Sequence, residues 1–253
     1  MAEKKEHKLT AASEQTAAKP KKPAQPAQQV SSTGKPMQQA KPVGNAAGLR
    51  VGAVILWVCA IVFELLAVLL LFGKLNISFI PQMAQLIGFI VLDLVCLVIG
   101  SQLWKKANHI DPASEANKFK FWLWNNLGFI VALVAFVPLI VLLLTNKDLD
   151  KKTKTIALIA ACVALLIGGA ASYDYNPVSV EQQTAAIEAL GDETVYWAPF
   201  GKVYHTHEDC QALNNSESLT YGTVEEAIAA NRVRLCSFCA KRDAITGVAT
   251  DGE

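Results

Sequence analysis

Three of the six cysteines and two of the four histidines fall in one short stretch near the C-terminal end of the chain. In order they are His205, His207, Cys210, Cys236 and Cys239. A Cys-x-x-Cys pair places two thiolates on one tight turn, and a distant His/Cys pair can complete a tetrahedron of soft and borderline ligands. The pattern therefore predicts one Zn²⁺ site formed by His205, Cys210, Cys236 and Cys239, with His207 as the alternative to His205.

The residues around this stretch predict the elements that would position it. Residues 195–197 and 203–205 are strand-like runs flanking a turn, so a hairpin would place His205 at the end of its second strand. Thr223 and Glu226 form a capping-box pattern that predicts a short helix. About fifty residues with few large aliphatic side chains make a thin core, so metal binding would have to supply much of the folding free energy.

This part of the chain also resembles a known family. The run from Gly201 to His205, then Cys210, a Thr-x-Glu-Glu-Ala helix start and finally Cys236-x-x-Cys239 are similar to the Ada-type metal-binding modules. In Ada-type repair, a zinc-bound cysteine in the first ligand position accepts a methyl group from DNA. His205 occupies that position here, and an imidazole has no thiolate to alkylate. The resemblance therefore implies a zinc fold without the repair chemistry.

Four long apolar runs dominate the middle of the chain. Each is about 18 to 25 residues long, enough to cross a hydrocarbon core of roughly 30 Å as a helix. They cover residues 51–72, 85–104, 121–145 and 155–172. We therefore predict a membrane α-helical protein with four transmembrane helices in contact with the lipid bilayer. The membrane part resembles uncharacterised bacterial multi-span membrane proteins, which implies the inner (plasma) membrane.

The flanking segments differ in composition from the spans. Residues 1–50 hold nine Lys/Arg, three Asp/Glu and five prolines, with hardly any large apolar side chains. Such a segment cannot bury enough surface to offset its ordering entropy, so we expect a disordered basic tail. Residues 174–193 are expected to form a linker with a short helix, residues 194–243 a small α+β zinc domain, and residues 244–253 a flexible end.

The distribution of Lys and Arg predicts the orientation. Placing both termini in the cytoplasm puts thirteen cations of the tail and the middle loop inside, against five outside. The four lysines between the third and fourth spans oppose this orientation. A cytoplasmic C-terminal domain would keep Cys210, Cys236 and Cys239 in a reducing compartment, where thiolates bind zinc rather than form disulfides.

The charge of the C-terminal part bears on its partners. From Asp174 onward there are five Lys/Arg and thirteen Asp/Glu, a net charge of −8. Nucleic-acid-binding domains present basic surfaces to phosphates, so this composition disfavours a nucleic-acid partner and leaves a protein as the expected partner of the domain.

Two carboxylates interrupt the apolar runs. Glu64 in the first span and Asp93 in the second are predicted to lie at similar depth, some 12 Å in from the outer ends of their helices at ~1.5 Å per residue. An intramembrane acid raises the hypothesis of a proton or ion site, in which the two would share a proton or a cation. The competing interpretation is that both are protonated and hydrogen-bonded to a neighbouring helix as packing contacts.

No Ser/His/Asp set, phosphate-binding glycine loop or zinc site with an open position is recognisable in the sequence, so enzymatic activity is not expected. Three functions follow from the residues. The leading one is a membrane-anchored binding or scaffold module. The others are a zinc- or redox-responsive sensor, and a small ion- or proton-coupled membrane protein that uses Glu64 and Asp93.

Overall fold

The computed structural model of the chain describes residues 29–75, 77–147 and 149–252. Four of its helices are long and apolar enough to cross a membrane, which confirms the prediction of four such helices. They are α1 (Ala46–Leu71), α2 (Gln82–Ile110), α4 (Leu127–Thr145) and α5 (Lys151–Ser172). A short helix, α3 (Lys118–Asn125), precedes α4.

The four long helices pack through small residues and present large apolar side chains outward. In α1, Ala53, Ala60 and Ala67 recur every seven residues and are at most 1% exposed. Val54 and Val58 on the opposite side are about half exposed. Small residues at helix contacts with branched aliphatics facing outward are typical of helices that pack in lipid, where no hydrophobic effect holds them together.

Helix α1 packs along α2, α4 packs along α5, and α2 also contacts α5. Two glycines permit close approach in this bundle. A Cβ atom added at Gly100 would lie 2.9 Å from the Trp57 ring, and one added at Gly128 would overlap the Ser101 side chain. The helices approach this closely at the two positions because glycine has no side chain.

The third span begins later than predicted, because the helix breaks at Asn126. The Asn125 and Asn126 side chains donate to the carbonyls of Phe121 and Trp122, four residues earlier. Such local bonds compete with the helical ladder. Both asparagines are buried, and the Asn126 side chain accepts a hydrogen bond from the Asp174 amide.

The C-terminal module (residues 195–252) is a small α+β unit. Its strands β3 (Val195–Trp197) and β5 (Leu219–Gly222) pair antiparallel, and β4 (Val203–Tyr204) pairs in parallel with β6 (Arg234–Leu235). The helices are α7 (Val224–Ala229), which begins with the predicted capping box, and α8 (Ser237–Arg242). A bridge between Tyr196 and His205 joins β3 to β4 and forms the predicted hairpin.

Part of the predicted disordered tail is ordered on this module. Strand β2 (Pro36–Gln39) pairs in parallel with β5, and β1 (Gln29–Val30) pairs antiparallel with β2. Met37 packs against the module core, and Lys35 donates to the Leu213 and Asn214 carbonyls. An edge strand offers unpaired backbone groups that a polar segment can satisfy without a hydrophobic core. Residues 1–28 of the predicted tail lie outside the described residues.

The predicted flexible end also packs against the module. The Leu235 amide donates to the Ala249 carbonyl over 2.9 Å, and the Val248 side chain is 7% exposed. The Asp251 carboxylate accepts a 2.7 Å bond from the Ser237 amide at the start of α8. Residues 248–251 thus extend the module beyond the predicted boundary at residue 243.

Helix α6 (Val180–Leu190), the short helix predicted in the linker, connects the module to the bundle. Its Glu181 carboxylate accepts hydrogen bonds from the Ser114 hydroxyl and the Glu115 amide, which hold the pKa of Glu181 down at about 2. Nearby, His109 at the end of α2 lies 3.5 Å from Asp174, and both side chains are 5% exposed. These contacts place the module at the end of the bundle where α1 begins and α2 and α5 end.

Candidate metal centre

Four side chains from three separate segments converge inside the C-terminal module. His205 follows β4, and Cys210 precedes a short 3-10 helix (Gln211–Leu213). Cys236 is the N-cap of α8 and Cys239 lies in its first turn. The local sequence brings the last two together, whereas the first two depend on the fold.

The parallel pairing of β4 with β6 sets the relation between the two halves of the site. The Cys236 amide donates to the Tyr204 carbonyl over 2.9 Å, directly beside His205 in the chain. Tyr204 and Leu235, which precede the two ligand residues, are both fully buried. The strand pair therefore fixes His205 opposite the Cys-x-x-Cys turn through backbone bonds and a shared core.

The distances fit a tetrahedral metal site. The four candidate ligand atoms all lie within 4.8 Å of one another. The Cys210 and Cys236 sulfurs are 3.9 Å apart, and the Cys239 sulfur lies 3.8 Å from His205 Nδ1. Zinc–sulfur bonds of about 2.3 Å imply ligand separations of about 3.8 Å in a tetrahedron. The group could therefore hold a metal ion.

Burial controls the protonation of these ligands. Desolvation lowers the pKa of His205 to about 4, against a smaller opposing effect of the Asp251 charge, so the imidazole is neutral at pH 7 and free to ligate. Desolvation also raises the pKa of the Cys210 thiol to about 12 and raises that of Cys236. A bound cation would have to displace these thiol protons, so metal affinity is expected to decrease as the pH decreases.

His207, the alternative ligand of the sequence analysis, does not belong to this group. Its Nε2 lies 2.6 Å from Asp243 Oδ1, and the other Asp243 oxygen accepts from Thr206 at 2.5 Å. The His207 side chain is 33% exposed, whereas His205 is 3% exposed. The structure thus brings His205, rather than His207, to the three cysteines.

Sequence reasoning missed the acidic residue beside the site. Asp251 lies close enough for its charge to act on the His205 imidazole, and its carboxylate is held by the Ser237 amide next to Cys236. Carboxylates near ligating histidines orient the ring and raise its basicity. No local pattern marked Asp251, because its place depends on the packing of residues 248–251 against β6.

The two intramembrane acids lie on neighbouring helices. Asp93 is 1% exposed and Glu64 is half-buried. Neither Asp93 oxygen has a hydrogen-bond partner among the described residues. Glu64 lies seven residues before the end of α1 and Asp93 eleven after the start of α2. The similar depth of the two acids stays a prediction.

Within the part of the chain that the structure describes, no other group of three or more His, Cys, Asp or Glu side chains converges as a metal site. Comparison with protein-family models, curated proteins and solved structures finds no match.

Proposed function

We propose that this chain is a multi-pass membrane protein that carries a zinc-stabilised binding module on the cytoplasmic side of the cell membrane. The observation that carries the proposal is the burial of a Cys₃His group whose four ligand atoms lie within 4.8 Å of one another. Four protein ligands leave no open position for a substrate or a water molecule, so the ion would stabilise the fold rather than react.

The choice of zinc rests on the donor set. Three thiolates and one imidazole suit Zn²⁺, whereas carboxylate and carbonyl oxygens suit Mg²⁺ and Ca²⁺. The set also supports membership of the Ada-type metal-binding modules, with His205 in the position of the reactive cysteine. In this proposal the module keeps the zinc fold of that family and lacks its methyl-accepting chemistry.

The charge of the module supports a protein partner. The chain from Asp174 onward carries a net charge of −8, which opposes binding to nucleic acid phosphates. Phe200 is fully exposed at the tip of the β3–β4 loop, and Phe238 beside the metal group is 51% exposed. Exposed aromatic side chains on a rigid, metal-stabilised unit supply the kind of anchor that protein interfaces use.

Zinc occupancy distinguishes this role from the zinc sensor. We expect the full-length protein to carry one zinc per chain, both after growth in zinc-replete medium and after growth with a chelator. A closed structural site stays occupied because its dissociation constant lies far below the free zinc concentrations that occur in either culture. Elemental analysis of protein purified from both cultures measures this. The variant Cys162→Ser, which changes an exposed cysteine in α5, should behave like the unchanged protein. Zinc content that rises and falls with the medium would favour the sensor.

The proposed orientation of the bundle in the membrane rests on the distribution of Lys and Arg between its two ends. Arg50, at the start of α1, binds Asp111 after α2, and α3 places Lys118 and Lys120 at the same end. At the other end, Lys154 donates to the Leu144 and Asn146 carbonyls and so caps the end of α4. The four lysines of this loop oppose the proposed orientation, and the thirteen cations of residues 1–50 and the middle loop outweigh them.

Topology reporters test the cytoplasmic placement. A reporter inserted near Ser31 and one fused at the C-terminal end should both be active only in the cytoplasm. Tags inserted near Lys74 and Lys147 should be reachable from outside intact cells, because each lies at the end of the bundle away from the module. An external C-terminal reporter would contradict the proposal, since an oxidising compartment favours disulfides over a zinc site.

A further inference from the structure

Asp93 lies inside the membrane bundle rather than at its surface. It occupies the buried stripe of α2, three residues after Ile90 and four before Leu97, which are 3% and 0% exposed. Positions three and four apart share one helix face, so the carboxyl group points where these two aliphatic side chains point. The acid thus stands in the layer that packs α2 against α1, α4 and α5.

The surrounding helices offer this carboxyl group no compensating charge. Helix α1 contributes Glu64 and Cys59, and its Arg50 lies fourteen residues before Glu64, near the start of the helix. Helix α2 itself contributes Cys96, and α4 contains no titratable residue. Helix α5 contributes Cys162, and its lysines lie in its first turn. Along α2 the nearest cation is Lys105, twelve residues away, or about 18 Å. The other acid of the bundle, Glu64, would add negative charge rather than compensate it.

The hydrogen bonds also argue against a purely structural role. A polar side chain that holds transmembrane helices together does so by bonding across to its neighbour. Both Asp93 oxygens are buried and neither has a hydrogen-bond partner among the described residues. An ionised carboxylate left in this position would be an uncompensated charge in a medium of low dielectric constant, which costs several kcal/mol or more. A proton removes that charge without needing any further ligand.

We propose that Asp93 is a reversible proton-binding site within the membrane bundle. The reaction is the addition of one H⁺ to the Asp93 carboxylate to give the carboxylic acid, with no change of oxidation state. The ligand is a proton rather than a metal cation, because a cation would need several oxygen ligands and the packed stripe of Ile90 and Leu97 supplies none. This activity is independent of zinc in the C-terminal module.

The test measures protonated carboxyl groups in the full-length protein in lipid nanodiscs. Infrared difference spectra recorded between about pH 5 and about pH 9 should show a carboxylic-acid carbonyl band that disappears as the pH rises and shifts in D₂O. Asp93→Asn should abolish the band. Glu64→Gln should move the pH of its disappearance, since the neighbouring negative charge is removed. The control Glu217→Gln, which changes an exposed acid of the module, should leave the spectrum unchanged.

Two results would overturn the proposal. A band that persists in Asp93→Asn, or that never responds to pH, would show that Asp93 is not a reversible proton site. Loss of the band on adding Na⁺ at constant pH would show that the pair binds a cation instead. Slow hydrogen exchange of the α2 and α4 amides reports folding of the bundle separately, so a variant that keeps this slow exchange and has lost the band supports the proposal. If Asp93→Asn does not fold, the Glu64→Gln shift decides the question.

Discussion

Replacing Cys236 or Cys239 with serine should remove zinc and unfold the C-terminal module, while the four long helices remain folded. The two cysteines are fully buried or nearly so, and they supply two of the four ligand atoms from one turn. Structural zinc contributes an apparent binding free energy of about 10–16 kcal/mol, comparable to or larger than the whole stability of a small domain. A hydroxyl group in place of either thiolate therefore leaves too little free energy to hold this core together.

Hydrogen exchange of the full-length protein measures the loss. Amides of β3 and β5 should exchange at least about 100-fold faster in either variant, whereas amides of α2 and α4 should be unchanged. Treatment of the unchanged protein with a strong chelator should give the same pattern. Cys59→Ser, at an exposed position in α1, serves as the matched cysteine control. Slow exchange in β3 and β5 after complete removal of zinc would show that the apolar core folds without the metal.

His205→Ala and His207→Ala should differ sharply in zinc affinity. His205 places Nδ1 within 3.8 Å of the Cys239 sulfur, so its truncation removes one of four ligands and opens the buried site. Changes to residues that merely support a ligand cost about 10–100-fold in metal affinity, so the loss of a ligand should cost more than about 100-fold. His207 bonds Asp243 near the surface, and its truncation should cost less than about 10-fold.

Competition with a chromophoric chelator measures both affinities. His205→Cys provides the rescue, because a Cys₄ set is also a complete zinc site. It should recover most of the affinity that His205→Ala loses. Equal losses in the two alanine variants would mean that His207 takes part in binding. If His205→Cys fails to recover the zinc affinity, the volume of the imidazole ring is needed at this position as well as its ligand atom.

The position of Asp93 favours a proton site over a packing role for this intramembrane acid. The sequence permitted a packing role in which each acid bonds a neighbouring helix. The structure gives Asp93 a buried place with neither oxygen bonded. Buried groups that reduce stability without a compensating contact are typical of functional positions, where activity rather than folding maintains the residue.

The sequence alone determined those features that depend on neighbouring residues along the chain. Four long apolar runs predict four long helices because any residue left in lipid must satisfy its backbone within its own helix. Cys236-x-x-Cys239 places two thiolates on one turn, and Thr223 with Glu226 starts a helix, because both patterns act over three residues. The aliphatic outer surface of the bundle also follows from composition.

Only the tertiary structure decided the features that depend on distant segments. Strand β2 is polar and has no periodicity of its own, and it is ordered because β5 offers an unpaired edge. Residues 248–251 form a short segment of mixed polarity, which is ordered by its hydrogen bonds to Leu235 in β6. Asn126 ends a helix inside an apolar run because its side chain finds partners at Trp122 and Asp174. Likewise, the sequence favoured His205 and left His207 as the alternative ligand, and the pairing of β4 with β6 turns His205 toward the cysteines while Asp243 binds His207.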